Sequence, residues 1–322
     1  MAEWLYEAGI GETRAALVAD DRILEAWIER DGEGPRVGAV LGARLVEPGR
    51  IVLDAPGDPV ATIGALPQGI SLGARLTVEV TRMALRERGR DKPARARLAE
   101  GPVTEGPDLY ARIAATEWPV TELRATGPDR LEAAGWSELI DHVRTGHFAF
   151  PGGALWVDAT PAMVLIDIDG EGDGFALARA GAIAAVEVIR CCGIGGSIGI
   201  DFPSLPGRSE RHAVDALVDA HLPQPFERTA VNGFGLMQII RRRDRPSLVE
   251  QVRLDPVATD AALLLRQAER AVGTGALRLT ARPAVAAHIA AHPRWIALLQ
   301  KRSGRPVTVE ADAAIEGAGH AQ

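Results

Sequence analysis

Lysine is nearly missing from this 322-residue chain: Lys92 and Lys301 are the only lysines in a basic set of 36, and the rest are arginine. The bias reads as base composition and not as a binding signal. Cysteine is confined to Cys191 and Cys192. Neighbouring cysteines seldom close a relaxed disulfide, and two are too few for a disulfide scaffold or a four-cysteine zinc site. Aromatic residues make up 4%, and none lies between Arg36 and Leu98. No run of about 18 apolar residues occurs, so no membrane span is expected. The opening MAEWLYEAGIGETR has neither a basic flank nor an apolar run, so no secretory signal is expected. A soluble, cytoplasmic protein is the default. The 43 acids outnumber the bases, and the net charge of −7 excludes coating of nucleic acid through bulk charge. It leaves room for a local basic groove.

What is present is organised by period and punctuation. Residues 3–30 alternate polar and apolar and read as two antiparallel strands with a turn at Ala19-Asp20-Asp21. Residues 36–100 hold short β-rich runs split by Gly and Pro, which suits a small barrel. That stretch ends in a basic segment, Arg82 to Arg97, opposed only by Glu87 and Asp91. LYARIAA is predicted as a short helix, TELRAT as a strand and SELIDHVRTG as a helix stopping at Gly146. Strands at 155–157 and 163–167, a helix at 176–190 and a strand at 197–202 make a βαβ unit. Helices are predicted at 208–221, 235–243, 259–273 and 283–302. LRLTA and residues 304–309 are predicted as strands, and the small, polar tail after Ala313 as disordered.

The βαβ unit puts Asp167 at the end of one apolar strand and Asp201 near the end of the other, where ligands bind in α/β sheets. Two carboxylates about 4 Å apart repel by roughly 4 kcal/mol at an effective dielectric of 20. The pair therefore implies a shared proton or a divalent cation, and hard oxygen donors suit magnesium or manganese. The alternative is that both aspartates simply cap the loops that follow. Asp169, Glu171 and Asp173 continue the acidic run, but no glutamate closes the twelve-residue calcium-loop pattern. The glycines from Gly193 to Gly199 follow a helix and enter a strand, the reverse of a dinucleotide loop, and read as a helix C-cap. Arg241, Arg242 and Arg243 are either phosphate clamps or a solvated helix end, and the same two readings hold around Lys92. His288 and His292 share a helix face without the glutamate of a metalloprotease motif.

From Gly152 onward the blocks GGALWVDATPAMVLIDID, GIGGSIGIDF, FGLMQIIRRR and RPSL resemble, in order, the catalytic region of the ribonuclease E/G family. ETRAALVADDRILEAWIER resembles that family's opening strands, and VGAVLGARLVEPGRIVLDA its OB-fold RNA-binding domain. LRLTARPAVAAHIAAHPRWIALLQKRSGRPVTVE is similar to the small C-terminal domain of the shorter, ribonuclease G type. The resemblance implies an α+β and α/β multidomain fold. Residues 1–35 and 105–148 would form a ribonuclease-H-like subdomain with an OB-fold barrel inserted at 36–104. Residues 149–250 would form the catalytic α/β region, 251–316 a small C-terminal domain and 317–322 a disordered tail. It implies that Asp167 and Asp201 hold Mg2+ or Mn2+ for hydrolysis of single-stranded RNA, in RNA processing or decay. Lys92 and Arg241–Arg243 are then candidate phosphate contacts.

The chain departs from the family pattern in several places, among them an Asp167 to Asp201 interval shorter than usual for the family and the lack of aromatics in the OB region. Asp169 stands where the family has asparagine, so a donor becomes an acceptor beside the metal and is expected to modulate it. No CxxC link follows RPSL, so no zinc is expected and any homo-oligomer forms by another contact. LAEGPVTEGPDLYARI replaces the segment that senses an RNA 5′-monophosphate. The alternative reading is a non-catalytic RNA-binding or assembly relative of the same family.

Overall fold

The computed structural model describes every residue except Arg88 and Arg90, so that part of the basic segment lies outside the described residues. Along the chain, β1 (Glu3–Ala8), β2 (Glu12–Ala19) and β3 (Arg22–Arg30) come first. They are followed by β4 (Val40–Glu47), β5 (Arg50–Leu53), β6 (Val60–Ile63), β7 (Arg75–Arg82) and β8 (Ala94–Leu98). Then come α1 (Leu109–Ala114), β9 (Val120–Leu123), α2 (Arg130–Ala133), α3 (Trp136–Thr145) and β10 (His147–Phe150). The central block is β11 (Gly153–Ala159), β12 (Val164–Gly170), α4 (Gly174–Cys191), β13 (Gly196–Asp201), α5 (Arg208–His221), β14 (Phe226–Arg228) and β15 (Leu236–Arg241). The chain closes with α6 (Leu248–Leu254), α7 (Pro256–Arg270), β16 (Leu277–Ala281), α8 (Pro283–Ala290), α9 (Pro293–Ser303), β17 (Val307–Ala311) and β18 (His320–Ala321). The architecture is mixed α+β, with several sheets and one closed five-stranded barrel. No helix among the described residues is long and apolar enough to cross a membrane.

Two units interleave in sequence. One comprises residues 1–31, 113–137 and 251–322; the other comprises 32–112 and 138–250. In the first, the sheet order is β3-β2-β1-β9, with β9 parallel to β1. The predicted turn holds: Asp20 and Asp21 both have positive φ, as a tight hairpin between twisted strands requires. The N-terminal stretch contains three strands, not two, because Gly9-Ile10-Gly11 interrupts the alternation. Leu264, Leu265, Leu277, Leu279, Val285, Ile289 and Leu299 form an apolar core with Ile10. Beside it lies a buried ionic network that apolar patterning does not reveal. Arg14 reaches Glu7 at 2.6 Å and Asp129 at 3.0 Å. Arg270 pairs with Glu7 and Asp129, Arg266 with Glu12, and Arg30 with Glu12 at 2.7 Å.

Two expectations for this unit are corrected. The predicted helix over 283–302 is two helices, since Pro293 opens α9 and cannot continue α8. The tail at 317–322, expected to be disordered, ends in the sheet: β18 pairs antiparallel with β16, and Gln322 exchanges backbone hydrogen bonds with Arg278. Composition signalled disorder, but the unpaired edge of β16 supplies the bonds that such a segment cannot make alone.

In the second unit the barrel runs β4-β5-β6-β8-β7 and closes on itself, with only β6 and β8 parallel. Its interior is small and aliphatic, from Ala43, Leu45, Ile51, Leu53, Ala61, Val78, Val80 and Ala96. The other sheet has the order β10-β11-β12-β13-β15-β14. Its one parallel pair is β12 with β13, joined through α4 as the βαβ reading requires. Val164, Ile166 and Ile168 point inward, and Ala178, Ala182, Ala185 and Ile189 of α4 are buried with them. The glycine run is the predicted cap: Gly193 sits at φ 61°, its N–H bonds Arg190, and the Ile194 N–H bonds Ile189.

Here too a helix is corrected. Residues 235–243 do not form one; 236–241 are the strand β15, in antiparallel register with β13 from Asp201↔Leu236 to Gly196↔Arg241. Met237 and Ile239 point inward while Gln238 and Ile240 point out. A short apolar run carries too few periods to separate helix from strand, and pairing along β13 decides it.

Candidate metal and phosphate site on an open sheet face

Alternation along β12 buries Val164, Ile166 and Ile168 and turns Leu165, Asp167 and Asp169 to solvent. On β13, Ile198 and Ile200 are buried and Asp201 is exposed. Asp167 and Asp201 are direct partners across the parallel pair, with Asp201 at the carboxyl end of β13 and Asp167 in the middle of β12, which runs on to Gly170 and corrects the strand-end placement expected for Asp167. Adjacent strands lie about 4.8 Å apart, so the two carboxylates stand side by side. Partial burial, the Asp201 charge and then the Asp169 charge push the Asp167 carboxyl above the ordinary aspartate range. That direction agrees with the repulsion anticipated from spacing, with burial as the larger cause.

Asp169 stands apart from this pair. Two residues further along the strand places it roughly 6.6 Å beyond Asp167, and its carboxylate accepts from the Gly170 N–H at 2.9 Å. Among the described residues, no group of three or more His, Cys, Asp or Glu side chains is placed to hold a metal ion. Two carboxylates with water completing the shell is nonetheless a donor set that magnesium accepts. Asp173, read from sequence as part of a solvated acidic loop, caps α4 by accepting from the Ala176 N–H at 2.8 Å.

The candidate phosphate contacts are engaged to different degrees. Lys92 lies 2.6 Å from Glu87, and Arg243 lies 2.9 Å from the same carboxylate and also pairs with Glu250. Burial pushes Glu87 up, but the hydrogen bonds and charges of Lys92 and Arg243 outweigh it and hold Glu87 below its usual range. Arg241 donates to the Ile194 carbonyl at 3.1 Å from the end of β15. Arg242 is 70% exposed and lies 3.3 Å from Asp244. Of the four, Arg242 has the head most open to a ligand.

Three rings near the carboxylates were not singled out from sequence. Trp156 is opposite Asp167 in the antiparallel pairing and is 49% exposed. His147, opposite Trp156 on β10, tilts against its ring at 4.8 Å between centroids. Phe234, 93% exposed, precedes Gly235, whose backbone carbonyl accepts from the Phe202 N–H at 3.0 Å beside Asp201. The signal for Trp156 was available: in GALWVDA it lies between two inward residues and so points out. Phe234 lies in a turn, where strand parity gives no direction.

No protein-family model matches the chain, and no curated protein matches it as a relative.

Proposed function

We propose that the chain is a metal-dependent endoribonuclease that hydrolyses single-stranded RNA in RNA processing or decay in the cytoplasm. The observation that carries this reading is the in-register pair Asp167 and Asp201 on an open face, at the position where the parallel pairing of β12 with β13 ends. Asp167 and Asp201 would hold Mg2+ or Mn2+; zinc has no place in the reading. The ion would supply charge to offset the phosphate oxygens and acidify a water. Asp169, whose carboxylate accepts from the Gly170 N–H, sets the local charge without completing the pair.

Other features support the same reading. The five-stranded closed barrel at 40–98 suits the OB-fold assigned to 36–104 by resemblance. The parallel pairing of β1 with β9 joins the N-terminal strands to the 105–148 stretch, as a ribonuclease-H-like subdomain interrupted by the barrel would require. Blocks GGALWVDATPAMVLIDID and GIGGSIGIDF, which resemble the ribonuclease E/G family, are the β11–β12 hairpin and the β13 strand that carry the pair.

Cleavage of a labelled, unstructured A/U-rich RNA with magnesium tests the proposal. The native protein is expected to cut, and Asp201→Ala to lose at least a hundredfold in rate. Equal cutting by both, or none by either, ends the nuclease reading. A second reading, a non-catalytic RNA-binding or assembly relative, is favoured by the lack, among the described residues, of a third metal-holding side chain beside the pair and by the neutralisation of Lys92 and Arg243. It predicts no magnesium-dependent rise in melting temperature, whereas a binding site raises it by mass action.

A further inference from the structure

We infer that Trp156 and Phe234 are stacking platforms for the bases on either side of the phosphate held at Asp167 and Asp201. The inference rests on the nuclease reading and names how its substrate is gripped.

The row across the open sheet is His147, Trp156, Asp167, Asp201 and Leu236 on five adjoining strands. Neighbouring positions in such a row are about 5 Å apart, so Trp156 is the direct neighbour of Asp167. On the other side, Phe234 lies two residues before Leu236, the strand partner of Asp201. A Cβ at the intervening Gly235 would stand 3.8 Å from the Asp201 carboxylate. Trp156 therefore flanks the carboxylate pair on one side, and the exposed Phe234 stands in the turn that leads into Leu236 on the other. His147 backs Trp156 and limits its rotation.

The occupant follows from charge. A protein surface seated on these rings would bury Asp167 and Asp201 without a cation, which is costly. A nucleotide strand brings its phosphate to the cation-loaded carboxylates and its bases to the rings, so both parts of the row are used. Single-stranded binding combines backbone charge with aromatic stacking. The barrel, where the resemblance puts RNA binding, holds no aromatic residue between Arg36 and Leu98. The rings stand on the carboxylate-bearing sheet instead.

The probe is a fluorescein-labelled 2′-O-methyl A/U oligonucleotide of about ten residues, within the usual span of single-strand sites. Its Kd is measured by anisotropy with the full-length protein in magnesium. Trp156→Ala and Phe234→Ala should each raise Kd about tenfold, with an unchanged salt dependence because neither ring touches phosphate. Trp156→Phe should bind nearly as well as native, and it guards against a folding defect. Kd unchanged in both alanine variants overturns the inference, as does failure of the native protein to bind the oligonucleotide. Cleavage of unmodified RNA is measured in parallel. Cutting whose KM ignores both rings removes the stacking claim and leaves the nuclease reading standing. Ring-dependent binding without cutting removes the nuclease reading and leaves the stacking claim standing.

Discussion

At the residue scale the carboxylate pair is a destabilising feature. An acid whose folded pKa is raised binds its proton more tightly when folded. Its contribution therefore favours the fold at low pH and fades as pH climbs from about 4 through the raised value. For Asp167 that window opens at the unperturbed aspartate range and extends upward. Asp167→Asn should consequently raise the melting temperature at pH 7 without divalent cation by on the order of 1–2 °C. If the proposed metal site holds, magnesium should raise the melting temperature of the native protein and not that of this variant. A lower melting temperature in a cation-free scan would show that the pair does not repel. Asp129 behaves with the opposite sign. Burial pushes it up, but Arg14, the Glu132 N–H and Arg270 hold it below the usual range. Its stabilisation is complete above about pH 4 and is lost as pH falls through the depressed value.

The network around Asp129 also answers to mutation. Arg14 is 2% exposed and pairs with Glu7 and Asp129, so Arg14→Ala leaves the buried Glu7 and the half-buried Asp129 with only Arg270 as a counter-charge. A loss of about 3–5 kcal/mol is expected from denaturant titration. A change below 1 kcal/mol would mean that Arg270 alone satisfies both acids.

At the element scale, the helix α4 governs the position of the acidic strand. A Cβ placed on Gly181 would come within 2.5 Å of the Ile168 side chain, one residue beyond Asp167 on β12. Gly181→Val should push helix from sheet and cost about 1–3 kcal/mol in urea unfolding. Activity should fall with it, because Asp167 moves relative to Asp201. The same scale shows what a sequence discloses and what it withholds. The βαβ unit was legible because α4 is long enough to show helical spacing and β12 alternates over its whole length. LMQIIR showed no such distinction, and only the hydrogen-bonding edge of β13 makes it a strand. Asp201 was legible as a strand-end residue; Asp167 was not, because β12 continues to Gly170. Their exact opposition was not legible either, since register is set by pairing partners outside either segment. Trp156 could be placed by parity; Phe234 had no period to read. Glu7, Glu12, Arg14 and Arg266 are buried, though charged residues are ordinarily assigned to the surface, so the ionic network stayed hidden.

At the scale of the whole molecule, Asp167 and Asp201 lie on strands already paired on both sides, so their place in the sheet is set by backbone hydrogen bonds. Removing divalent cations with a chelator should therefore abolish cleavage and leave the far-ultraviolet circular dichroism unchanged. Loss of secondary structure on chelation would place a structural ion somewhere in the molecule.

The interleaving of the two units gives the ribosome an unusual schedule. All of residues 32–112 and 138–250 precede the last segment of the other unit. The barrel and the six-stranded sheet can close while the chain is still growing, as units that fold during synthesis do. The first strands to emerge must wait longest: Glu7 and Glu12 meet Arg270 and Arg266 only after α7 has been made. Until then, β1 and β2 carry buried-to-be acids with half their counter-charges still untranslated. A nascent chain stalled after Glu250 would hold a finished second unit and an N-terminal sheet open to proteases.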